Sequence, residues 1–197
     1  MCIRDRINNA GIFRTNDTFT DDGLDIRFAV NTFAPHLLTQ QLLPLLGPAA
    51  RVVNLSSAAQ SPVDLEALAG RAEIPDQLNA YAQSKLALTM WSRTMADAQK
   101  ENGLVYVAVN PGSLLATKMV KEGFGMAGKD IRIGADVLVR SVLSDEFAEA
   151  SGQYFDNDKG RFDSPHPDAL DLQKCQEVVR VIEATLTQLG RSNQSHV

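Results

Sequence analysis

The sequence predicts an α/β fold in which a doubly wound parallel sheet lies between two layers of helices (three layers, αβα). Short β-branched or apolar runs alternate with longer amphipathic segments along the whole chain, which is typical of strands joined by helical crossovers. No internal repeat, low-complexity tract or linker interrupts this alternation. A chain of 197 residues, 44% of them hydrophobic, can also fill one core. We therefore expect a single domain.

The first predicted elements are a strand, a long helix and a second strand. The first strand ends at residues 8–9. Residues 20–23 (TDDG) form a turn and N-cap, with Asp25 in a capping-box-like position three residues after the second aspartate. Apolar residues then recur at helical spacing over 24–46. The β-branched run at 51–55 is typical of a buried parallel strand.

The second half of the chain continues the alternation. In order, we expect a long loop (58–78), a helix (79–100), a strand (105–109), a second loop (113–130), a helix (133–143), a short strand (153–155) and a last helix (168–189). Proline and glycine residues mark both loops.

Charge and hydropathy exclude two classes of function. The formal net charge is −5 and no long run of lysine or arginine occurs, so the sequence predicts no nucleic-acid partner. The longest apolar stretch, Leu37–Leu46, is interrupted by polar residues and proline, whereas a membrane-spanning helix needs about 20 apolar residues. We expect no membrane segment and a small-molecule substrate.

The cysteines and histidines form no pattern of metal ligands. Cys2 and Cys175 lie far apart and show neither the CxxC nor the Cys/His spacing of a metal site or disulfide framework. His36, His166 and His196 also lack ligand spacing. The sequence therefore predicts no metal ion and a reducing, cytoplasmic setting.

The clearest candidate for chemistry is the segment from Tyr81 to Lys85 (YAQSK) in the second long helix. Residues four apart lie on one face of a helix, so both side chains can reach one substrate. A free tyrosine has a pKa of about 10, and a nearby positive charge favours its phenolate. Lys85 supplies such a charge, which suits Tyr81 to acid–base work. Taken alone, the pair also fits a tyrosine packed at the core edge and a lysine in solvent.

Three further motifs lie where predicted strands end. Ser56-Ser57 follows the strand at 51–55, residues 110–112 (NPG) follow the next one, and residues 9–11 (NAG) end the first. Parallel α/β sheets bind ligands at the carboxyl ends of their strands. A serine hydroxyl there can hydrogen-bond a carbonyl oxygen, and the Pro-Gly turn lets backbone approach a planar ligand.

These ordered motifs resemble those of the short-chain dehydrogenase/reductase family. The matching segments, from Asn8 to about Thr117, are NNAG at 8–11, Asn31, VVNLSS at 52–57, YAQSK at 81–85 and NPG at 110–112. The 23-residue loop before Tyr81 is similar to that of the retinol-dehydrogenase-like and WW-domain-oxidoreductase-like branch. The resemblance implies a Rossmann-like fold and an NAD(P)-dependent oxidoreductase acting on a carbonyl or alcohol substrate.

The resemblance also implies a catalytic tetrad of Asn31, Ser57, Tyr81 and Lys85, with Ser56 as the alternative to Ser57. Ser57 would position the substrate oxygen, and Tyr81 would donate or accept its proton. Lys85 would lower the pKa of Tyr81 and bind the nicotinamide ribose. Asn31 would hold a water through its main-chain carbonyl and link Lys85 to solvent.

The implied cofactor is NAD or NADP, and the matching segments do not decide between them. The residues implied to contact it are Asn9, Ala10 and Gly11 near the ribose, Tyr81 and Lys85, and Pro111, Gly112 and Thr117 along the nicotinamide. Thr117 lies one residue further from the Pro-Gly turn than the commoner spacing. Members of the family usually associate through the helices at 24–46 and 79–100, which implies a homodimer or homotetramer.

Pro35 supports the role of Asn31 independently of the resemblance. In a continuous helix the Asn31 carbonyl would accept a hydrogen bond from residue 35, but proline has no N–H to donate. A water can then take the free acceptor. A proline kink that serves packing alone is the alternative interpretation.

Two other sequence patterns do not indicate an alternative functional site. Residues 123–128 (GFGMAG) match the dinucleotide pattern GxGxxG, but that pattern must follow a strand and open a helix, and here neither is predicted. The segment instead falls in what the family uses as a mobile substrate loop. No G-x-S-x-G surrounds Ser56 or Ser57, so a serine hydrolase is not indicated.

The N-terminal segment does not match the rest of the pattern. Residues 1–6 (MCIRDR) show no signal-peptide character, and we expect them to be foreign to the domain that occupies 7–197. A dinucleotide fold of this type begins with βαβ units carrying a glycine turn, and the matching motifs start after them. We therefore expect the C-terminal, catalytic part of a longer domain. A truncated or non-catalytic Rossmann-like module without cofactor binding is the alternative.

Overall fold

Five strands form one sheet, which confirms the predicted α/β fold. The computed structural model describes residues 3–194, so Cys2 and His196 lie outside the described residues. The strands are β1 (Ile3–Asn8), β2 (Leu46–Leu55), β3 (Val105–Asn110), β4 (Tyr154–Asp156) and β5 (Arg161–Asp163). They follow one another in space as in sequence; β1 to β4 are parallel, and β5 returns antiparallel to β4. The sequence did not predict β5, because three residues carry no readable alternation.

The helices cover both faces of this sheet. They are α1 (Ile26–Phe28), α2 (Ala34–Leu42), α3 (Leu65–Leu68), α4 (Gln77–Ala98), α5 (Lys118–Phe124), α6 (Arg132–Leu143) and α7 (Leu172–Gln194). Short 3₁₀ turns at Leu43–Leu45, Lys100–Asn102, Asp145–Phe147 and Pro167–Leu170 connect some of them. Some predicted elements need correction. The two expected loops each contain a short helix, α3 in the first and α5 in the second. In addition, β2 begins five residues before position 51, and a 3₁₀ turn precedes the last helix.

The N-terminal residues pair further than the sequence indicated. β1 begins at Ile3, and Asp5 and Arg6 lie opposite Arg51 and Val52 of β2. Residues 3–6 are therefore part of the sheet, although the predicted foreign origin of residues 1–6 stays a prediction.

The N-cap of the first helix is Asp25, which corrects the predicted cap within residues 20–23. The Asp25 carboxylate accepts the Arg27 backbone N–H at 2.8 Å. It also binds the Arg27 guanidinium through Nε at 2.8 Å and Nη2 at 2.5 Å, and both side chains are buried. The Asp25 carboxylate thus caps the helix and also forms an ion pair with the buried Arg27 guanidinium.

The first predicted helix is also not continuous. Between α1 and α2 lies a π-helical turn, Ala29–Phe33, in which the Ala34 N–H donates to the Ala29 carbonyl. Pro35 lies shortly after this π-helical turn, in a backbone that stays helical through Phe33 and Ala34. The change in hydrogen-bond register at this turn accommodates a residue without an N–H. The proposed role of the Asn31 carbonyl stays a prediction.

Alternating side chains of the central strands serve two separate cores. Val52 and Tyr106 point to the face covered by α1, α2, α4 and α7. Val53 and Val107 point to the opposite face, where α6 supplies Val137 and a smaller cluster forms. This is the period-2 alternation of strands that are buried on both faces.

The helix α4 is the centre of the larger core. Fourteen of its 22 residues are buried. Because this exceeds the residues on one face of a helix, α4 must be covered on more than one side. The sheet covers one side of α4, and α7 packs along another with Val178 and Ile182. The helix that carries Tyr81 and Lys85 is therefore held firmly on several sides. No helix among residues 3–194 is both long enough and apolar enough to cross a membrane.

Candidate active site

A pocket of about 450 Å³ opens at the carboxyl ends of β1, β2 and β3. Its walls come from these strand ends, the start of α4 and the segment from residue 111 to α5. Eight of the ten predicted site residues line it: Asn9, Gly11, Ser57, Tyr81, Lys85, Pro111, Gly112 and Thr117. The strand-end motifs thus converge as the rule for parallel α/β sheets requires.

Tyr81 and Lys85 lie on the same face of α4. The Lys85 Nζ is 5.8 Å from the centre of the Tyr81 ring and donates a hydrogen bond of 2.7 Å to the Leu55 carbonyl at the end of β2. Only 3% of Lys85 is exposed, and no carboxylate pairs with it among the described residues. The structure therefore holds a buried, unpaired ammonium beside the phenol, which excludes the interpretation of Lys85 as a solvent-exposed surface residue.

Burial shifts the pKa of both groups toward the neutral form. Desolvation raises the pKa of Tyr81 above its usual value, and a hydrogen bond with Ser57 acts in the opposite direction without reversing the shift. Desolvation lowers the pKa of Lys85 to about 8. Desolvation is thus the largest influence on the Tyr81 pKa in this geometry, and the lowering of that pKa by Lys85 stays a prediction. Tyr81 is held as a protonated phenol at neutral pH.

The two serines at the end of β2 face different neighbours. The Ser56 hydroxyl points toward α4, 2.7 Å from the Thr89 hydroxyl and 3.4 Å from the Lys85 carbonyl. Ser57 faces the pocket and accepts the Ala59 N–H at 3.1 Å. Of the two serines, Ser57 is the one whose side chain lowers the pKa of Tyr81.

Asn31 lies behind the pocket and connects its parts. Its side-chain amide donates to the Ile12 carbonyl and to the Ser84 hydroxyl, both at 2.9 Å, and its oxygen accepts the Ile12 N–H at 2.8 Å. A Cβ on Gly11 would lie 3.4 Å from the Lys85 Nζ and 3.5 Å from the Asn31 Oδ1. The π-helical turn therefore places Asn31 where it fixes the segment after β1 against α4, a role that the sequence did not reveal.

The remaining predicted residues differ in their placement. Asn9 and Gly11 line the pocket, whereas Ala10 is exposed and does not. Pro111 and Gly112 form a turn after β3, in which Gly112 has a φ of +118°. Thr117 lines the pocket but is also the N-cap of α5, where its hydroxyl accepts the Val120 N–H at 3.3 Å. Its hydroxyl therefore already has a structural partner.

An aromatic cluster forms the apolar side of the pocket, and sequence reasoning missed it. The Phe13 ring lies 5.2 Å from that of Tyr81 and 5.4 Å from that of Phe124 on α5. A Cβ on Gly123 would come within 2.8 Å of the Phe13 ring, so this glycine makes room for the contact. The position of Phe13 two residues after the NNAG motif is the only signal that could have suggested it.

The glycines at 123–128 have structural reasons unrelated to a dinucleotide. Gly125 ends α5 with a φ of +65°, and Gly128 has a φ of +77°. A Cβ on Gly128 would lie 2.7 Å from the backbone of Ala116, where Leu115 and Lys129 form a bridge. The motif follows no strand and opens no helix, so the structure supports its rejection as a dinucleotide fingerprint.

The described residues hold no group of three or more histidine, cysteine, aspartate or glutamate side chains placed to bind a metal ion. His36 is buried between α2 and α4, and His166 caps the 3₁₀ turn before α7. Cys175 is a buried free thiol.

Comparison with known protein families identifies the chain. The family described as "short chain dehydrogenase" matches residues 6–127, more than half of the sequence. The chain belongs to this family. The match begins one residue before Ile7 and extends through the strand ends, α4 and α5, so it includes every predicted site residue.

Curated relatives of the chain are longer proteins. Retinol dehydrogenase 13 of Homo sapiens is 29% identical over 93% of this chain and 59% of its own length. Retinol dehydrogenase 12 of Bos taurus is 33% identical over 81% of this chain and 54% of its own length. The chloroplastic short-chain dehydrogenase TIC 32 A of Brassica napus is 30% identical over 76% of this chain and 53% of its own. The chain thus spans just over half the length of these relatives.

Solved structures share the fold. An uncharacterised protein from Mycobacterium paratuberculosis superimposes with a TM-score of 0.74 over 93% of this chain and 67% of its own, at 24% identity. An NADPH-bound carbonyl reductase from chicken fatty liver gives a TM-score of 0.56 over 81% of this chain and 64% of its own, at 29% identity. The first likeness concerns the fold alone.

Proposed function

We propose that this chain carries the catalytic part of an NAD(P)-dependent oxidoreductase that interconverts a carbonyl and an alcohol. The observation that carries the proposal is the meeting of Ser57, Tyr81 and a buried, unpaired Lys85 in one pocket at the strand ends. A structural tyrosine–lysine pair gives no reason to bury an ammonium without a carboxylate, because that burial is costly.

The residues present fit the nicotinamide and ribose portion of such a cofactor. The absence of a side chain at Gly11 leaves space beside the Lys85 ammonium, and the turn at Pro111 and Gly112 presents backbone to the pocket. Lys85 and Asn9 would bind the ribose hydroxyls, and Pro111 and Gly112 would lie along the nicotinamide. The cofactor would supply or accept a hydride. One structural neighbour, the carbonyl reductase from chicken fatty liver, is described as NADPH-bound.

The protein's own part is to hold the substrate oxygen and move one proton. Ser57 donates a hydrogen bond to that oxygen, and Tyr81 lies in the same pocket, close enough for Ser57 to lower its pKa. Because burial keeps the Tyr81 phenol protonated, the resting site is prepared to give a proton to a carbonyl oxygen, as reduction requires. The positive charge of Lys85 then stabilises the phenolate that remains.

The second candidate is a Rossmann-like module that does not bind a cofactor. The two candidates differ in one measurable property, which is binding of a nicotinamide cofactor.

The test combines cofactor binding with a matched pair of tyrosine variants. The chain is titrated with NADH and NADPH by fluorescence and then supplied with a panel of aldehydes and ketones. Tyr81→Phe removes the proposed acid and should reduce kcat by at least about 10²-fold, the usual contribution of a general acid. Tyr106→Phe, which removes a buried hydroxyl of the core that has no partner among the described residues, is the control. Absence of cofactor binding, or equal activity of both variants, would contradict the proposal.

Association and location also remain proposals. The α2 and α4 helices are those that the resemblance assigns to a homodimer or homotetramer, but α7 already covers part of α4 within this chain. Association would therefore rely on the exposed side of α2, which presents Leu37 and Leu38. The proposed cytoplasmic location rests on the sparse cysteines alone.

A further inference from the structure

The turn that follows β3 is held in an unusual backbone conformation. Gly112 has a φ of +118°, and Leu114, two residues later, has a φ of +56°. Positive φ is unfavourable for a leucine, and such a residue persists only where its surroundings fix it. Residues 111–114 line the pocket on the side where the nicotinamide is proposed to lie, so whatever fixes this turn also shapes that wall.

The β4–β5 hairpin supplies the fixing contacts. At its tip, the Asp158 carboxylate accepts the Ser113 N–H at 2.9 and 3.0 Å and the Ser113 hydroxyl at 2.5 Å. The same carboxylate accepts the Asn110 side-chain amide at 3.0 Å. One side chain thus binds both ends of the turn.

Asn157 completes the attachment from the same hairpin. Its N–H donates to the Asn110 carbonyl at 3.1 Å, and its side-chain amide donates to the Pro111 carbonyl at 2.9 Å. The Asn110 side chain in turn accepts the Gly112 N–H at 3.2 Å. The carbonyls of Asn110 and Pro111 and the N–H groups of Gly112 and Ser113 are therefore bound by the hairpin or by the Asn110 side chain.

The attachment extends to the base of the segment that carries α5. Lys129 lies 3.6 Å from the Asp158 carboxylate, and its backbone N–H donates to the Leu114 carbonyl at 2.6 Å. The bridge between Leu115 and Lys129 begins there. Partial burial raises the pKa of Asp158, but the hydrogen bonds from Ser113 and Asn110 and the charge of Lys129 leave it below its usual value. The carboxylate is therefore ionised at neutral pH.

We propose that Asp158, assisted by Asn157, is a positioning residue that holds residues 111–114 in the conformation that receives the nicotinamide side of the cofactor. This inference rests on the proposed function, because it assigns Asp158 a part in the same site. Asp158 lies about 40 residues beyond the last motif that identifies the family here, so no motif assigns it a role.

The test uses Asp158→Asn, with Asp163→Asn as its matched control. Asp163 is a carboxylate on the same hairpin that pairs with Lys159, and among the described residues it makes no hydrogen bond or ion pair with the turn. An asparagine at position 158 has one acceptor oxygen, whereas the carboxylate has two. Its NH₂ group would face the N–H donors of Ser113 or Asn110 and could not bond them. Amide hydrogen exchange of the full chain without cofactor is measured first. We expect exchange at Gly112 and Ser113 to increase by about tenfold or more in Asp158→Asn, with no change for β3 or for Asp163→Asn.

The second measurement compares the effect of each variant on the KM for the cofactor with its effect on kcat. If Asp158 positions the turn for the cofactor, Asp158→Asn raises this KM about tenfold, with a smaller effect on kcat and an unchanged melting temperature. Unchanged hydrogen exchange at Ser113 would overturn the attachment itself. Faster exchange with an unchanged KM in an active protein would overturn the positioning role. A wild-type chain without cofactor binding would instead overturn the proposed function and the positioning role with it, while the exchange data still decide whether the attachment exists.

Discussion

His36 should make this fold sensitive to mild acid. It lies on α2, is 2% exposed, and packs edge-on against Trp91 of α4 at 5.3 Å between ring centres. Its Nδ1 is buried without a hydrogen-bond partner among the described residues. Burial lowers the pKa of His36 from 6.5 to about 4. The folded protein therefore holds this imidazole in its neutral form over a range where the unfolded chain would protonate it.

The size of the effect follows from this difference in pKa. The folded pKa is below the unfolded one, so the unfolded state binds the proton first as the pH falls, and stability is lost between about pH 6.5 and pH 4. Integration over this window gives a loss of about 2 kcal/mol between pH 7.5 and pH 5, and about 3 kcal/mol by pH 4. This is a large share of the stability of an ordinary domain.

The assay is urea unfolding at pH 7.5 and pH 5, followed by far-UV circular dichroism. Circular dichroism is preferable to the fluorescence of Trp91, because protonation of the adjacent imidazole would itself change that signal. His36→Gln should lose the contribution of about 2 kcal/mol to the difference between the two pH values. His166→Gln, which removes a histidine outside the α2–α4 core, should retain it. If wild type and His36→Gln lost stability equally between these pH values, the reasoning would be refuted.

Three other outcomes follow from buried polar groups. Tyr106→Phe should stabilise the fold by about 1 kcal/mol in thermal unfolding, since its buried hydroxyl has no partner among the described residues; destabilisation would show that one exists. Asp25→Asn should destabilise it by about 3 kcal/mol in urea unfolding, because Arg27 would remain buried without its counter-charge, and a change below 1 kcal/mol would contradict this. For carbonyl reduction, kcat should fall as the pH rises through about 8, where Lys85 loses its charge; a pH–rate profile that is flat from pH 7 to 9.5 would exclude that role.

Much of the fold was predictable because its strands and helices carry strong local patterns. The run at 51–55 and the segment at 105–109 are apolar, end in turn residues and are indeed central strands. The helix predicted over 79–100 lies at Gln77–Ala98. The errors fall where local pattern is weak or ambiguous: β5 is three residues long, and the apolar spacing over 24–46 cannot distinguish a continuous helix from one interrupted by a π-helical turn.

The candidate site was predictable to a similar extent. The rule that ligands bind at the carboxyl ends of parallel strands correctly brought Ser57, Tyr81, Lys85 and the Pro-Gly turn into one pocket. The sequence did not reveal that desolvation raises the Tyr81 pKa, because the spacing of Tyr81 and Lys85 indicates their proximity but not how deeply α4 is buried. Burial of α4 depends on α7, which lies about 90 residues further along the chain.

Sequence pattern alone therefore established the fold class and, through the resemblance of its ordered motifs, the residues proposed to do the chemistry. Both depend on spacing within short segments, where side-chain periodicity determines which residues share a face. The tertiary structure determined how those residues are supported: Asn31 against Ile12, Phe13 against Tyr81, and Asp158 against the turn at Ser113. The last of these contacts joins residues 45 positions apart, and it exists only because β3 and β4 are neighbours in the sheet. This pairing is selected by the free energy of the whole fold, so no local spacing in the sequence predicts it.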